Sequence, residues 1–186
     1  VGMLRSLAFV AALLIAVPAQ ATEAAWALLR NGGQVVLLVH ANAPGIGDPA
    51  NFDLENCRTQ RNLSDRGRQQ ARRIGALFAA RAAPVEAVYT SRYCRARETA
   101  TLAFGDSLTE DFDALDPVAE DADLAAERLE AVRLLVAEHL GSDTIVLVTH
   151  IDNIVQWLGV RPREAEAFVV NADEDGLSVA GRIIFN

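Results

Sequence analysis

Two runs of the chain lack polar alternation: Val35 to Val39 is wholly apolar and Thr144 to Thr149 almost so. Both have the length of a strand, and an unbroken apolar run fits a central strand buried on both faces. Weaker strand patterns cover Val85 to Tyr89 and the neighbourhood of Leu108 to Phe112. Elsewhere the period is helical. Ser64 can cap a helix from Asp65 to about Arg81, in which Ala71, Ile74, Leu77 and Phe78 share a face. A longer helix is expected between Asp121 and Leu140, with Ala125, Leu129, Val132, Val136 and Leu140 as its stripe and Gly141 as its stop. Shorter helices are expected over Ala24 to Leu29, over Arg92 to Leu102 and from near Asn153. The tail reads as a hairpin, Glu166 to Val170 and Ser178 to Ile184 around the turn residues Asn171 to Gly176.

Strands alternating with helices imply an α/β fold, a three-layer α/β/α sandwich around a mostly parallel central sheet. No repeat or linker divides it, so residues 22–186 read as one domain. Residues 1–21 read as a signal peptide: Met3 and Arg5 precede the apolar run Leu7 to Val17, and Pro18-Ala19-Gln20-Ala21 offers a small-x-small cleavage site. The run is too short to span a bilayer, so no stable membrane insertion is expected after cleavage, and the location implied is periplasmic or secreted. In an oxidising compartment Cys57 and Cys94 read as a disulfide; in the cytosol they would be two buried thiols.

Of the 186 residues 51% are apolar, enough for a sizeable core. The formal charge is −8, and all 17 cations are arginine. That balance argues against nucleic acid or an anionic membrane as partner, so an anionic ligand must meet a local arginine cluster.

In open α/β sheets ligands sit beyond the carboxyl ends of strands. His40 and His150 each stand immediately past an apolar strand, and Ser91 and Arg95 follow the Val85 strand. Either histidine alone could merely cap its strand with a hydrogen bond; their paired placement favours a shared cleft. His139, inside an amphipathic helix, is expected at the surface. Imidazole can attack phosphorus, and guanidinium groups fork onto phosphate oxygens, so the set suits phosphoryl chemistry. A zinc site would need a third ligand, for which Asp152 is the nearby candidate.

Four ordered strings carry a family resemblance: Val35-Val36-Leu37-Leu38-Val39-His40-Ala41, Arg61-Asn62-Leu63-Ser64-Asp65-Arg66-Gly67-Arg68, Tyr89-Thr90-Ser91-Arg92-Tyr93-Cys94-Arg95-Ala96-Arg97-Glu98-Thr99-Ala100, and Val146-Leu147-Val148-Thr149-His150. In these the chain resembles the histidine phosphatase superfamily, also called phosphoglycerate mutase-like. The resemblance implies that fold, no metal or other cofactor, and phosphomonoester hydrolysis through a phosphohistidine on His40. It makes Arg95 a phosphate clamp and His150 a second pocket residue, with Arg61 and Ser91 as further phosphate-binding candidates. For the proton donor Asp116 is preferred over Glu110 and Asp152. One departure stands out. The family's first motif is Arg-His, and here Val39 precedes His40, which removes a phosphate ligand worth several kcal/mol in the transition state, on the order of two to four decades in rate. Arg58 and Arg61 can restore that charge from the following loop, or lie on the surface as solubilising groups. The expectation is an exported phosphatase acting on a phosphorylated small molecule, such as a sugar of the bacterial envelope. The alternative is an impaired or inactive relative that binds a phosphate ligand.

Overall fold

The apolar run Val35–Val39 forms strand β1, buried at every position, and Thr144–Thr149 forms β4, buried likewise. A computed structural model describes residues 17–185 of the chain. The other elements are helices α1 (Val17–Asn31), α2 (Asp65–Ala80), α3 (Cys94–Phe104), α4 (Ala122–Glu138) and α5 (Ile151–Leu158), and strands β2 (Val85–Thr90), β3 (Thr109–Asp111), β5 (Glu166–Asp173) and β6 (Gly176–Ile184). The strands make one sheet in the order β3-β2-β4-β1-β5-β6. β3, β2, β4 and β1 are mutually parallel, while β5 runs antiparallel to both β1 and β6.

Period-two alternation along the strands divides the core between the two faces. Val36 and Leu38 pack with Trp26, Leu29, Ile74, Phe78 and Ala100, the side of α1, α2 and α3. Leu37 and Val39 pack with Val132, Val136, Ile154 and Trp157, the side of α4 and α5. The result is the three-layer α/β/α sandwich expected from the alternation.

Local chemistry sets the helix starts. The Ser64 side chain accepts from the Gly67 N–H and caps α2, and Asp121 accepts from Leu124 N–H and caps α4. Gly67 also serves packing, because a Cβ there would lie 2.2 Å from the Asn42 carbonyl oxygen, so only glycine lets α2 abut the loop that leaves β1.

Several boundaries differ from the sequence expectation: α1 starts at Val17 rather than Ala24, and three others shift. α4 stops at Glu138, which leaves Leu140 94% exposed and outside the stripe. α5 starts at Ile151, directly after His150 rather than near Asn153. In the hairpin, Asn171, Ala172 and Asp173 pair with Ser178, Leu177 and Gly176, so the turn shrinks to Glu174-Asp175. Polar residues remain in the ladder there because their side chains can face water at the sheet edge.

The signal-peptide expectation falls mostly on residues 1–16, outside the described residues. Its last residues belong to α1, and among the described side chains of that helix the buried ones, Ala25, Trp26 and Leu29, lie beyond the expected cut after Ala21. No helix among the described residues is long and apolar enough to cross a membrane.

Candidate active site

β1 and β4 are parallel neighbours with Val39 beside Thr149, and a histidine follows each. The ladder continues one step, as the His40 N–H donates to the Thr149 carbonyl at 3.0 Å. The two imidazoles therefore stand side by side at the carboxyl ends of the central strands, ring centroids 5.3 Å apart. β2 flanks β4 on its other side, with Thr90 beside Val148. Ser91 emerges next to His150, its Oγ 2.8 Å from His150 Nε2.

Arg95, in the first turn of α3, is 4% exposed. Its guanidinium lies over the Tyr93 ring, Cζ 5.0 Å from the centroid, and its Nη1 donates to Asp48 Oδ1 and Oδ2 at 3.1 and 3.3 Å. Tyr93 also packs edge-on against His150 and stacks on Phe52. Arg61 reaches the same cluster from the loop between β1 and α2. Its backbone N–H donates to Asp48 Oδ1 at 2.8 Å, and its Nη1 donates to the Ala43 carbonyl. Arg61 Nε, Arg95 Nε and His150 Nδ1 are buried without a hydrogen-bond partner. Two unmatched guanidinium donors beside two imidazoles make a place where an anion would be held by charge-assisted bonds.

The protonation states follow from the partners. His40 Nδ1 lies 2.8 Å from the Ala41 carbonyl; a carbonyl only accepts, so Nδ1 carries the proton and Nε2 the lone pair. Burial pushes His40 down to about 4, and the positive charges of Arg95 and Arg61 push the same way. Burial likewise lowers His150 well below the usual imidazole range, assisted by His40, Arg95 and Arg61. Both rings are neutral at neutral pH, which for His40 leaves a nucleophilic nitrogen.

Asp116 is held by donors on both of its oxygens. It is 4% exposed; its Oδ1 accepts from Ser91 Oγ and from the Arg92 N–H at 3.0 and 2.9 Å, and its Oδ2 accepts from Arg92 Nε and Nη2 at 2.8 and 2.6 Å. Both oxygens are occupied by donors, one of them a cation. Asp116 anchors Ser91 and Arg92. Glu110 is exposed on β3 and Asp152 exposed on α5, neither within the cluster. Arg58 is exposed too, in a groove with Cys57, Asn62 and Arg97 outside the histidine pair. His139 is more enclosed than expected: its side chain is 7% exposed, and its Nε2 lies 2.9 Å from the Asp143 carbonyl. Val39 is fully buried in the cluster that includes Leu115 and Ile154. Among the described residues no group of three or more His, Cys, Asp or Glu is placed to hold a metal ion.

Cys57 and Cys94 form a disulfide with their Cα atoms 5.7 Å apart. Beside it, the Cys94 N–H donates to Gln60 Oε1 at 2.9 Å. Together these fasten the loop carrying Arg61 to the start of α3, which carries Arg95. Glu164 fastens the other end of that loop, accepting from Asn42 Nδ2 at 2.7 Å and from the Ala43 N–H at 3.0 Å.

The pattern of the "Histidine phosphatase superfamily (branch 1)" matches residues 54–115, the stretch that contains Arg61, Ser91 and Arg95. Over those residues the chain is similar to the histidine phosphatase superfamily. Solved structures agree in fold. The protein histidine phosphatase SixA complexed with tungstate is 20% identical, with a TM-score of 0.55 over 81% of this chain and 96% of that one. The open reading frame Rv3214 from Mycobacterium tuberculosis is 18% identical, with a TM-score of 0.56 over 79% and 95%. Phosphoserine phosphatase in complex with 3-phosphoglyceric acid, from Entamoeba histolytica, is 13% identical, with a TM-score of 0.55 over 81% and 96%. No curated protein sequence matches the chain.

Sequence reasoning missed two residues of this site. Asp48, 17% exposed in its side chain, occupies Arg95; it stands on an irregular loop where no period marks it. Asn153 is 1% exposed, and its Nδ2 donates to the Leu115 and Asp116 carbonyls and to Thr149 Oγ1 at 3.1, 2.8 and 2.7 Å. Its signal was its polarity on the inward face of a strongly amphipathic helix.

Proposed function

We propose that the protein is a phosphomonoester hydrolase that works through a phosphohistidine on His40. The observation that carries the proposal is the cluster itself: two neutral imidazoles side by side, facing two guanidinium groups whose Nε donors are buried and unmatched. Arg95 and Arg61 take the phosphoryl oxygens, and Arg61 supplies from the loop the charge that Val39 does not. The His40 Nε2 lone pair forms a bond to phosphorus as the bond to the leaving oxygen breaks. Asp48 is the carboxylate placed to protonate that oxygen. In the structure Asp48 pairs with Arg95; a bound phosphoryl group replaces it there and leaves the carboxyl group beside the leaving oxygen. Water then attacks phosphorus, the N–P bond breaks, the water proton returns to Asp48, and orthophosphate leaves.

The substrate proposed is a phosphorylated small molecule, an envelope sugar among the candidates. The apolar leader pattern and the disulfide support an extracytoplasmic location. Hydrolysis of an aryl phosphate in the presence of EDTA, by the protein and by its His40→Ala variant, tests the reading. Turnover by the first and none by the second is expected. Absence of turnover in both, with inorganic phosphate still bound, would favour the binding module that Val39 permits.

A further inference from the structure

Ser91 has one hydroxyl proton and two neighbours able to receive it. Asp116 Oδ1 stands 3.0 Å away and, gripped by the Arg92 fork, only accepts. His150 Nε2 stands 2.8 Å away on the other side, and the Tyr93 N–H donates to the same hydroxyl oxygen at 3.2 Å. The Ser91 proton therefore goes to the carboxylate, and the Ser91 oxygen accepts from His150. This places the imidazole proton on Nε2 and the lone pair on Nδ1. Nδ1 is buried and has no partner. The groups around it are the His40 ring, the Tyr93 ring, and the charges of Arg95 and Arg61. None gives it a hydrogen bond: the His40 Nδ1 proton is committed to Ala41, and the Nη1 groups of Arg95 and Arg61 to Asp48 and Ala43. The buried acceptor lacks a donor, and a ligand can bring one.

Resting on the phosphatase reading, we propose that His150 Nδ1 selects a protonated oxyanion: the site takes the monoanion of a phosphate group, whose P–OH donates to Nδ1 while Arg61 and Arg95 hold the remaining oxygens. Ser91, Asp116 and Arg92 act as positioning residues that fix the tautomer without touching the ligand. Sulfate has the size and shape of phosphate but no proton except in strong acid, so the same acceptor rejects it.

Calorimetric titration at pH 5.5 with inorganic phosphate and with sulfate tests this. Phosphate is expected to bind at least about tenfold more tightly than sulfate. In Asp116→Asn the Ser91 proton is free to turn to His150 Nε2 and the ring proton moves to Nδ1, so the ratio is expected to fall to about one or to invert. The nitrogen-15 NMR spectrum of His150 in the unaltered protein reads the tautomer directly and does not depend on the variant folding. Equal binding of the two anions, or a proton on Nδ1, overturns the proposal and leaves the phosphatase reading intact. Failure of both anions to bind at millimolar concentration overturns both.

Discussion

Asp48 sits on the guanidinium that an incoming phosphate needs, and the proposed mechanism makes it both competitor and proton source. Asp48→Asn is expected to separate these roles. Inorganic phosphate should bind the variant more tightly, because the competing charge is gone. Turnover of an alkyl phosphate should fall by about a hundredfold or more, whereas that of 4-nitrophenyl phosphate, whose leaving group needs no proton, should change by less than about threefold. Parallel kcat measurements on the two substrates check this, and equal losses on both would remove Asp48 as the acid. The buried histidines also make stability depend on pH. An unfolded imidazole takes a proton near 6.5, whereas His40 in the fold resists until about 4. As pH falls from about 6.5 to 4 the unfolded chain gains protons that the folded chain refuses, so stability present above that window is lost within it. His40 alone accounts for about 2 kcal/mol between pH 7 and 4.5, and His150 acts in the same direction. Urea unfolding at those two pH values should show a smaller loss in His40→Gln than in the parent. His40 and His150 were legible in the sequence because unbroken apolar runs announce their strands. Asp48 was not, because its place depends on where an irregular loop folds back, and the grip of Arg92 on Asp116 was not, because nothing in the sequence couples the two.

At the scale of elements, helices and buried strands were readable from period and caps alone, as Ser64 and Asp121 illustrate. Boundaries shifted where polarity or a glycine was given too much weight: Gly141 suggested a helix running to Leu140, and Asn171 to Asp173 suggested a turn where the ladder continues. The loop from His40 to α2 has no regular period, and its order comes from fastenings. The disulfide between Cys57 and Cys94, 37 residues apart, is the covalent one. Replacing both cysteines by serine is expected to cost roughly 3 to 4 kcal/mol through the added freedom of the unfolded chain, measured as a lower urea midpoint. KM for an aryl phosphate should rise by a larger factor than kcat falls, since the loop carries Arg61 while His40 is held by β1. A kcat loss with KM unchanged would place the effect of the bridge on the chemical step instead.

For the molecule as a whole, the alternation of elements disclosed the sandwich, but strand order depends on pairings between distant segments and left no local mark. The amino-terminal boundary is testable at this scale. Because α1 buries Ala25, Trp26 and Leu29 and these lie beyond Ala21, a chain begun at Thr22 should unfold at the same urea midpoint as one begun at Val17. A lower midpoint would assign residues 17–21 to the folded unit. The position of β4 has a further consequence for how the molecule comes into being. Of the four parallel strands it is the last to be synthesised, yet it lies between β2 and β1. A nascent chain that has made His40, Arg61 and Arg95 still presents two strands with a gap between them and open edges, an arrangement prone to mispairing. When β4 enters, it fills that gap and delivers His150 in one event, so a chain that stalls before β4 docks lacks the paired histidines.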